Sequence, residues 1–178
     1  MADAITILDA QAIDRALRRM AHEIAERNSR SKEVVLVGVQ RGGVFLARRL
    51  GQLLLNIWGH AVPDGSLDIG MHRDDLDQKA APTMHPTAIP FDITGRVVVL
   101  VDDVLFSGRT VRAAMDALND FGRPRAIQLA VLVDRGHREL PIKADFVGKN
   151  VPTSVHEMID VRLKEEQGED AVRLNKSS

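Results

Sequence analysis

Five apolar residues in unbroken succession, Val97-Val98-Val99-Leu100-Val101, run directly into Asp102-Asp103 and then Val104-Leu105-Phe106-Ser107-Gly108-Arg109-Thr110. A continuous Val/Leu run suits a strand covered on both faces, the usual state of a parallel sheet flanked by helices. Ligands of such sheets sit at the carboxyl ends of the strands. Two carboxylates emerge at that end here. Val104 to Thr110 can present successive backbone N–H groups where a helix begins, a place that favours an anion through its unpaired donors and its dipole. Ser107 and Thr110 add hydroxyls, and Gly108 lets the backbone approach closely. Adjacent carboxylates would repel a bare phosphate, so they need another partner, vicinal hydroxyls or a magnesium ion. A phosphorylated ribose offers both. The plain alternative is a strand, an acidic turn and a capped helix with no ligand; a lone Asp-Asp would favour it, and the whole string does not. A Walker A loop is excluded because the Gly-x-x-x-x-Gly-Lys-Ser/Thr spacing is absent.

The remaining segments supply what such a strand needs around it. Asp9 caps a helix predicted from Ala10 to about Asn28, with Ile13, Ala16, Leu17, Met20 and Ile24 as its apolar stripe and Arg15, Arg18, Arg19, His22 and Glu26 opposite. Val34 to Val39 reads as a strand, followed by Gln40-Arg41-Gly42-Gly43 and a helix from about Val44 to Leu55. Leu67 to Met71 reads as a strand. Arg73 to Pro90 is polar and proline-punctuated, and a long irregular segment of this kind is functional or mobile. Thr110 to Phe121 reads as a helix, Ile127 to Val133 as a central strand, and Asp134 to Thr153 as a mixed segment with a short strand near Phe146. Val155 to Leu163 reads as an edge strand, and residues 168–178 as a frayed polar tail. Strands alternating with helices imply an α/β fold with a doubly wound, mainly parallel sheet and right-handed crossovers.

Size and charge narrow the class. A chain of 178 residues with 44% apolar content suits one domain with a substantial core. The net charge of −1 gives no whole-chain nucleic-acid signal, although a basic face depends on distribution rather than on the sum. Cysteine is absent, which excludes disulfides and thiol chemistry. No targeting segment and no membrane-length apolar run is present, so the expectation is a cytoplasmic protein without a membrane partner.

The string from Val97 to Thr110 closely resembles the phosphoribosyl pyrophosphate (PRPP) signature of type I phosphoribosyltransferases. That resemblance implies the fold of this family, with a small hood segment. It places Asp102 and Asp103 on the ribose hydroxyls, and the loop Val104, Leu105, Phe106, Ser107, Gly108, Arg109 and Thr110 around the 5′-phosphate. It also implies that the loop after the first core strand, Gln40, Arg41, Gly42 and Gly43, holds pyrophosphate, and that a mobile loop over about 72–92 closes on PRPP with Arg73 as a further contact to pyrophosphate. Asp102, Asp103, Arg41 and Arg73 are thus the expected catalytic residues, and Mg²⁺ enters with PRPP, with Asp102 and Asp103 as candidate ligands. One domain spans residues 1–167, with a hood over about 134–155 and the tail at 168–178.

In 6-oxopurine phosphoribosyltransferases an aspartate in this loop meets the purine; Phe106 stands at the matching place. The string from Val101 to Leu118, with Asp134-Arg135-Gly136-His137-Arg138-Glu139-Leu140-Pro141 and Gly148-Lys149-Asn150-Val151-Pro152-Thr153-Ser154, is similar to the pyrimidine-operon regulators that are also uracil phosphoribosyltransferases. The resemblance runs from about Ile5 to Leu163. It implies conversion of uracil and PRPP to UMP and pyrophosphate, with Val133, Asp134 and Val151 lining the base pocket. It further implies binding of a pyrimidine-operon mRNA leader in response to uridine nucleotides, and a homo-oligomer, a dimer or larger. Arg18, His22, Arg138, Lys143 and Lys149 fit an RNA-facing basic surface. Aromatic residues make up 3% of the chain and tyrosine is absent, so charge rather than stacking would dominate RNA contact. Two other readings stay open: a purine phosphoribosyltransferase, and a nucleotide-sensing RNA-binding regulator with little catalysis.

Overall fold

In the computed structural model, which describes residues 3–70 and 86–176, strand β2 (Val34–Val39) buries all six of its residues and β4 (Val97–Leu105) buries its first six. The two lie in parallel, Val34 opposite Val97 and Gly38 opposite Val101. The sheet continues in parallel with β3 (Asp64–Leu67) beyond β2, and with β5 (Ala126–Asp134) and β6 (Phe146–Asn150) beyond β4, giving the five-stranded order β3-β2-β4-β5-β6. Period-two alternation then sends neighbours to opposite faces. Val99 and Val101 pack with Leu36 against helices α1 (Ala10–Arg27) and α2 (Gly42–Trp58), through Ile13, Met20, Ile24, Leu50 and Leu54. Val98 and Leu100 pack with Val35 and Val131 against α3 (Arg109–Leu118), through Val111, Ala114 and Leu118. Helices on both faces make the doubly wound α/β fold expected from the sequence. The Asp9 carboxylate accepts the Ala12 N–H at 2.8 Å, which is the predicted cap of α1.

Three features differ from the sequence reading. First, β4 runs through both aspartates to Leu105, pairing Asp102 with Val131 and Leu105 with Asp134, so the carboxylates stand on the sheet rather than in a loop beyond it. Second, the strand expected over Leu67 to Met71 lies earlier, at Asp64–Leu67. Third, the frayed tail expected over 168–178 is not what the described residues up to 176 form. Ala171–Asn175 forms β8, the centre of an antiparallel sheet between β1 (Ala4–Leu8) and β7 (Met158–Arg162), and it buries Ala171, Val172 and Leu174. The two ends of the chain therefore build the small second sheet, while the segment around 134–155 contributes β6 to the main one.

Arg49 of α2 anchors that small sheet. Its Nε and Nη2 donate to the two Glu165 carboxylate oxygens at 2.9 and 2.6 Å, and its Nη1 and Nη2 to those of Asp170 at 2.9 and 2.8 Å. Glu165 lies on the short helix α4 (Lys164–Gln167). Burial opposes charge on Arg49, but the two carboxylates outweigh it and hold the guanidinium above its ordinary value. The Arg49 hydrogen bond holds Glu165 below the usual carboxylate range; Asp170 is also held below it, burial pushing up and Arg49 and the Lys164 N–H pulling further down. Carboxyls depressed in the fold stabilise it above their unfolded values, and that stability is lost as pH falls through the folded ones. Acidification below about pH 4 should therefore lower the melting temperature steeply. Arg49→Met should cost on the order of 1–2 kcal/mol at pH 7, between exposed and buried pairs, and flatten that acid dependence. A thermal melt series against pH checks both.

Candidate functional site

Parallel strands direct their carboxyl ends to one side, and there a cleft of about 480 Å³ opens. Gln40, Arg41 and Gly42 enter it after β2, Asp68, Ile69 and Gly70 after β3, Asp102, Asp103 and Val104 from the end of β4, and Thr110 from α3. Val161 of β7, Leu163, and Glu166 and Gln167 of α4 close it.

The loop after β2 and the two aspartates are in direct contact. A Cβ on Gly42 would stand 2.7 Å from Asp103 Oδ2, and one on Gly43 would stand 2.2 Å from the Val101 carbonyl oxygen. Glycine is what allows this approach. The Gln40–Arg41 peptide is cis. Asp102 is buried and its Oδ1 accepts the Asp103 N–H at 2.8 Å, while Asp103 is half-buried and its Oδ1 accepts the Val104 N–H at 2.7 Å. These bonds orient both side chains. After Leu105 the chain turns through Phe106, Ser107 and Gly108, whose φ of 93° marks the left-handed start of α3, and Ser107 Oγ accepts the Arg109 N–H at 3.3 Å. The first turn of α3 opens beside the aspartates, and a helix N-terminus is a place whose N–H groups and dipole favour an anion.

Arg41 reaches this cleft already engaged: its Nε and Nη2 donate to Glu166 Oε1 at 2.7 and 2.6 Å. The sequence reading missed Glu166, Gln167 and Asp68. Arg73 and most of the loop expected over 72–92 lie outside the described residues.

The expected base-pocket side chains are differently occupied. Val133 and Val151 belong to the hydrophobic core. The Asp134 carboxylate accepts the Gly136 N–H at 3.0 Å and Arg138 Nη2 at 2.5 Å. Phe106 is an exposed large apolar side chain here, with the Arg135 guanidinium 4.3 Å from its ring centroid and the exposed His137 ring edge-on at 6.3 Å. Arg135 is 8% exposed, bonded to Thr153 Oγ1 at 3.2 Å and the Ser154 carbonyl at 3.1 Å, and burial lowers its pKa from the ordinary value despite Glu157 nearby. The sequence carried Asp134-Arg135-Gly136-His137 as a motif, but nothing in it paired Arg135 with Phe106.

Of the candidate RNA-facing residues, His22, Lys143 and Lys149 are exposed, and Arg18 is exposed while paired with Asp14 at 2.8 Å. Arg19 Nη2 donates to the Val147 and Gly148 carbonyls at 2.8 and 2.6 Å, which brings α1, with Arg18 and His22, alongside β6, with Lys149. Arg138 departs from the set, since all three of its guanidinium nitrogens donate within the protein. Among the described residues no helix is long and apolar enough to cross a membrane.

Comparison with known proteins gives the same outline. The family model described as "Phosphoribosyl transferase domain" matches residues 3–166. A protein of Listeria welshimeri named "Bifunctional protein PyrR" is 55% identical, covering 99% of this chain and 100% of its own length. Proteins of the same name from Streptomyces coelicolor and a Roseiflexus species are 60% and 63% identical over 97% and 91% of this chain, and 90% and 89% of their own. A solved hypoxanthine phosphoribosyl transferase of Trypanosoma cruzi superposes with a TM-score of 0.74 at 16% identity, over 97% of this chain and 91% of that one, which is likeness of fold.

Proposed function

The chain belongs to the phosphoribosyl transferase family, and we propose that within it the protein is a uracil phosphoribosyltransferase that also regulates pyrimidine genes by nucleotide-dependent RNA binding. The observation that carries this is the contact of Gly42 with Asp103, which joins an anion loop to a ribose-binding carboxylate as a sugar phosphorylated at both ends requires. PRPP would lie with its 5′-phosphate on Ser107, Gly108 and Thr110 at the start of α3, its ribose hydroxyls on Asp102 and Asp103, and its pyrophosphate on Gln40 to Gly43. Uracil N1 then forms a bond to the anomeric carbon as the bond from that carbon to pyrophosphate breaks, and the N1 proton leaves to solvent. The protein's part is to orient the two and to meet the charge of the departing pyrophosphate with Arg41 and backbone N–H groups.

Among the described residues no three metal-ligating side chains gather. Asp102 and Asp103 therefore fit a magnesium ion shared with substrate oxygens and water, which would supply positive charge for the leaving group. Phe106, apolar and set against Arg135, supports a pyrimidine over a purine partner. Arg18, His22, Lys143 and Lys149 support the RNA surface.

Glu166 competes with pyrophosphate for Arg41. Glu166→Gln should lower the KM for PRPP by about two- to fivefold, the scale of one exposed ion pair, which initial-rate kinetics would read. The enzymatic half of the proposal is tested by base-dependent pyrophosphate release, and the RNA half by titrating a pyrimidine-operon leader RNA. Affinity should rise with UMP and fall steeply with salt; indifference to both contradicts the regulatory half.

A further inference from the structure

Three successive carbonyls, at the end of β4 and in the loop after it, accept hydrogen bonds from one segment. The Arg135 N–H donates to the Leu105 oxygen at 3.1 Å, Arg138 Nη1 to the Phe106 oxygen at 2.9 Å, and the Glu139 and Leu140 N–H groups to the Ser107 oxygen at 2.9 and 3.1 Å. Arg109 closes the same seam through Nε to Glu139 Oε2 at 2.7 Å. A trans peptide points its N–H away from its C=O. Holding the oxygens of Leu105, Phe106 and Ser107 toward residues 135–140 therefore turns the N–H groups of Phe106, Ser107 and Gly108 the other way. Successive N–H groups turned to one side make an anion-binding concavity.

Arg138 is the hub of the seam. Besides the Phe106 carbonyl, its Nε donates to the Ile142 carbonyl at 2.8 Å and its Nη2 to Asp134 Oδ2 at 2.5 Å. Asp134 ends β5 opposite Leu105, so the guanidinium is tied to the main sheet. Gly136 and His137, with φ of 79° and 64°, turn the chain back so that Arg138 reaches all three acceptors. The side chain is only 24% exposed, and a planar fork is the one cationic group that can bridge acceptors so arranged.

We infer that Arg138 is a positioning residue for the phosphate loop: it touches no substrate, and it sets the direction of the N–H groups that bind the 5′-phosphate. This rests on the phosphoribosyltransferase reading of the site. The test compares the full-length wild type with Arg138→Gln, Arg138→Lys and Lys32→Gln, measuring KM and kcat for PRPP and the Kd of UMP by calorimetry. Arg138→Gln should raise the KM for PRPP and the Kd of UMP on the order of tenfold, the scale of one charged hydrogen bond, with kcat much less affected. Arg138→Lys should recover part of the loss, and Lys32→Gln, an exposed cation outside the seam, should change neither constant. Unchanged PRPP and UMP affinity in folded Arg138→Gln overturns the inference. If that variant fails to fold, Asp134→Asn removes the anchoring charge while keeping the shape; weaker UMP binding supports the inference and unchanged binding overturns it. A wild type that neither turns over PRPP nor binds UMP overturns the reading of the site, and the inference with it.

Discussion

Asp103→Asn should lower uracil-dependent turnover of PRPP by roughly two orders of magnitude or more, the scale of losing one pre-aligned electrostatic contact, while the fold stays intact. Asp103 Oδ1 accepts the Val104 N–H at 2.7 Å, a bond an asparagine carbonyl keeps. The change falls on Oδ2, beside Gly42. Ribose hydroxyls need acceptors there, and an asparagine amide would present donors in their place and remove the negative charge. The side chain is half-buried, so the thermal melt should move by no more than an ordinary surface substitution. Steady-state kinetics beside a melt separate the two effects, and near-normal turnover would remove Asp103 from the ribose site.

Gly43→Ala should do the opposite and damage fold and function together. The new Cβ would stand 2.2 Å from the Val101 oxygen and 3.1 Å from the Asp102 Cα. Both are backbone atoms of the central strand, so no rotamer change relieves the clash. The start of α2 must lift from β4, which carries Gln40, Arg41 and Gly42 away from the aspartates. Overpacking of this kind costs about 1–3 kcal/mol, and turnover should fall well beyond what the lost stability explains. Gly51→Ala is the control on the same helix. Its Cβ would meet only Leu36 Cδ1, at 3.5 Å. Replacing a helical glycine there should raise stability by up to about 1 kcal/mol and leave activity unchanged.

These contrasts mark what the sequence could disclose. The buried runs of β2 and β4, the stripe of α1 and the glycines after β2 are local patterns, and each was legible because its physical cause lies within a few residues. The partnership of Gly42 with Asp103 follows from strand order, which places β2 beside β4. β8 was hidden for a different reason. Ala171–Asn175 is short, and it becomes a strand only by pairing Ala4 with Asn175 and Met158 with Asn175 across the chain. Charge pairs were equally opaque. Nothing in the spacing joins Arg49 to Glu165 and Asp170, or Arg41 to Glu166, and Arg138 looked like a surface cation until its three acceptors were placed around it.

Base specificity tests the central claim most directly. Pyrophosphate release from PRPP with Mg²⁺ should be measured with uracil, hypoxanthine, guanine and no base, with UMP identified as the co-product. Release that requires uracil and yields UMP is the predicted result. Release driven by a purine, or no release with any base, would contradict it.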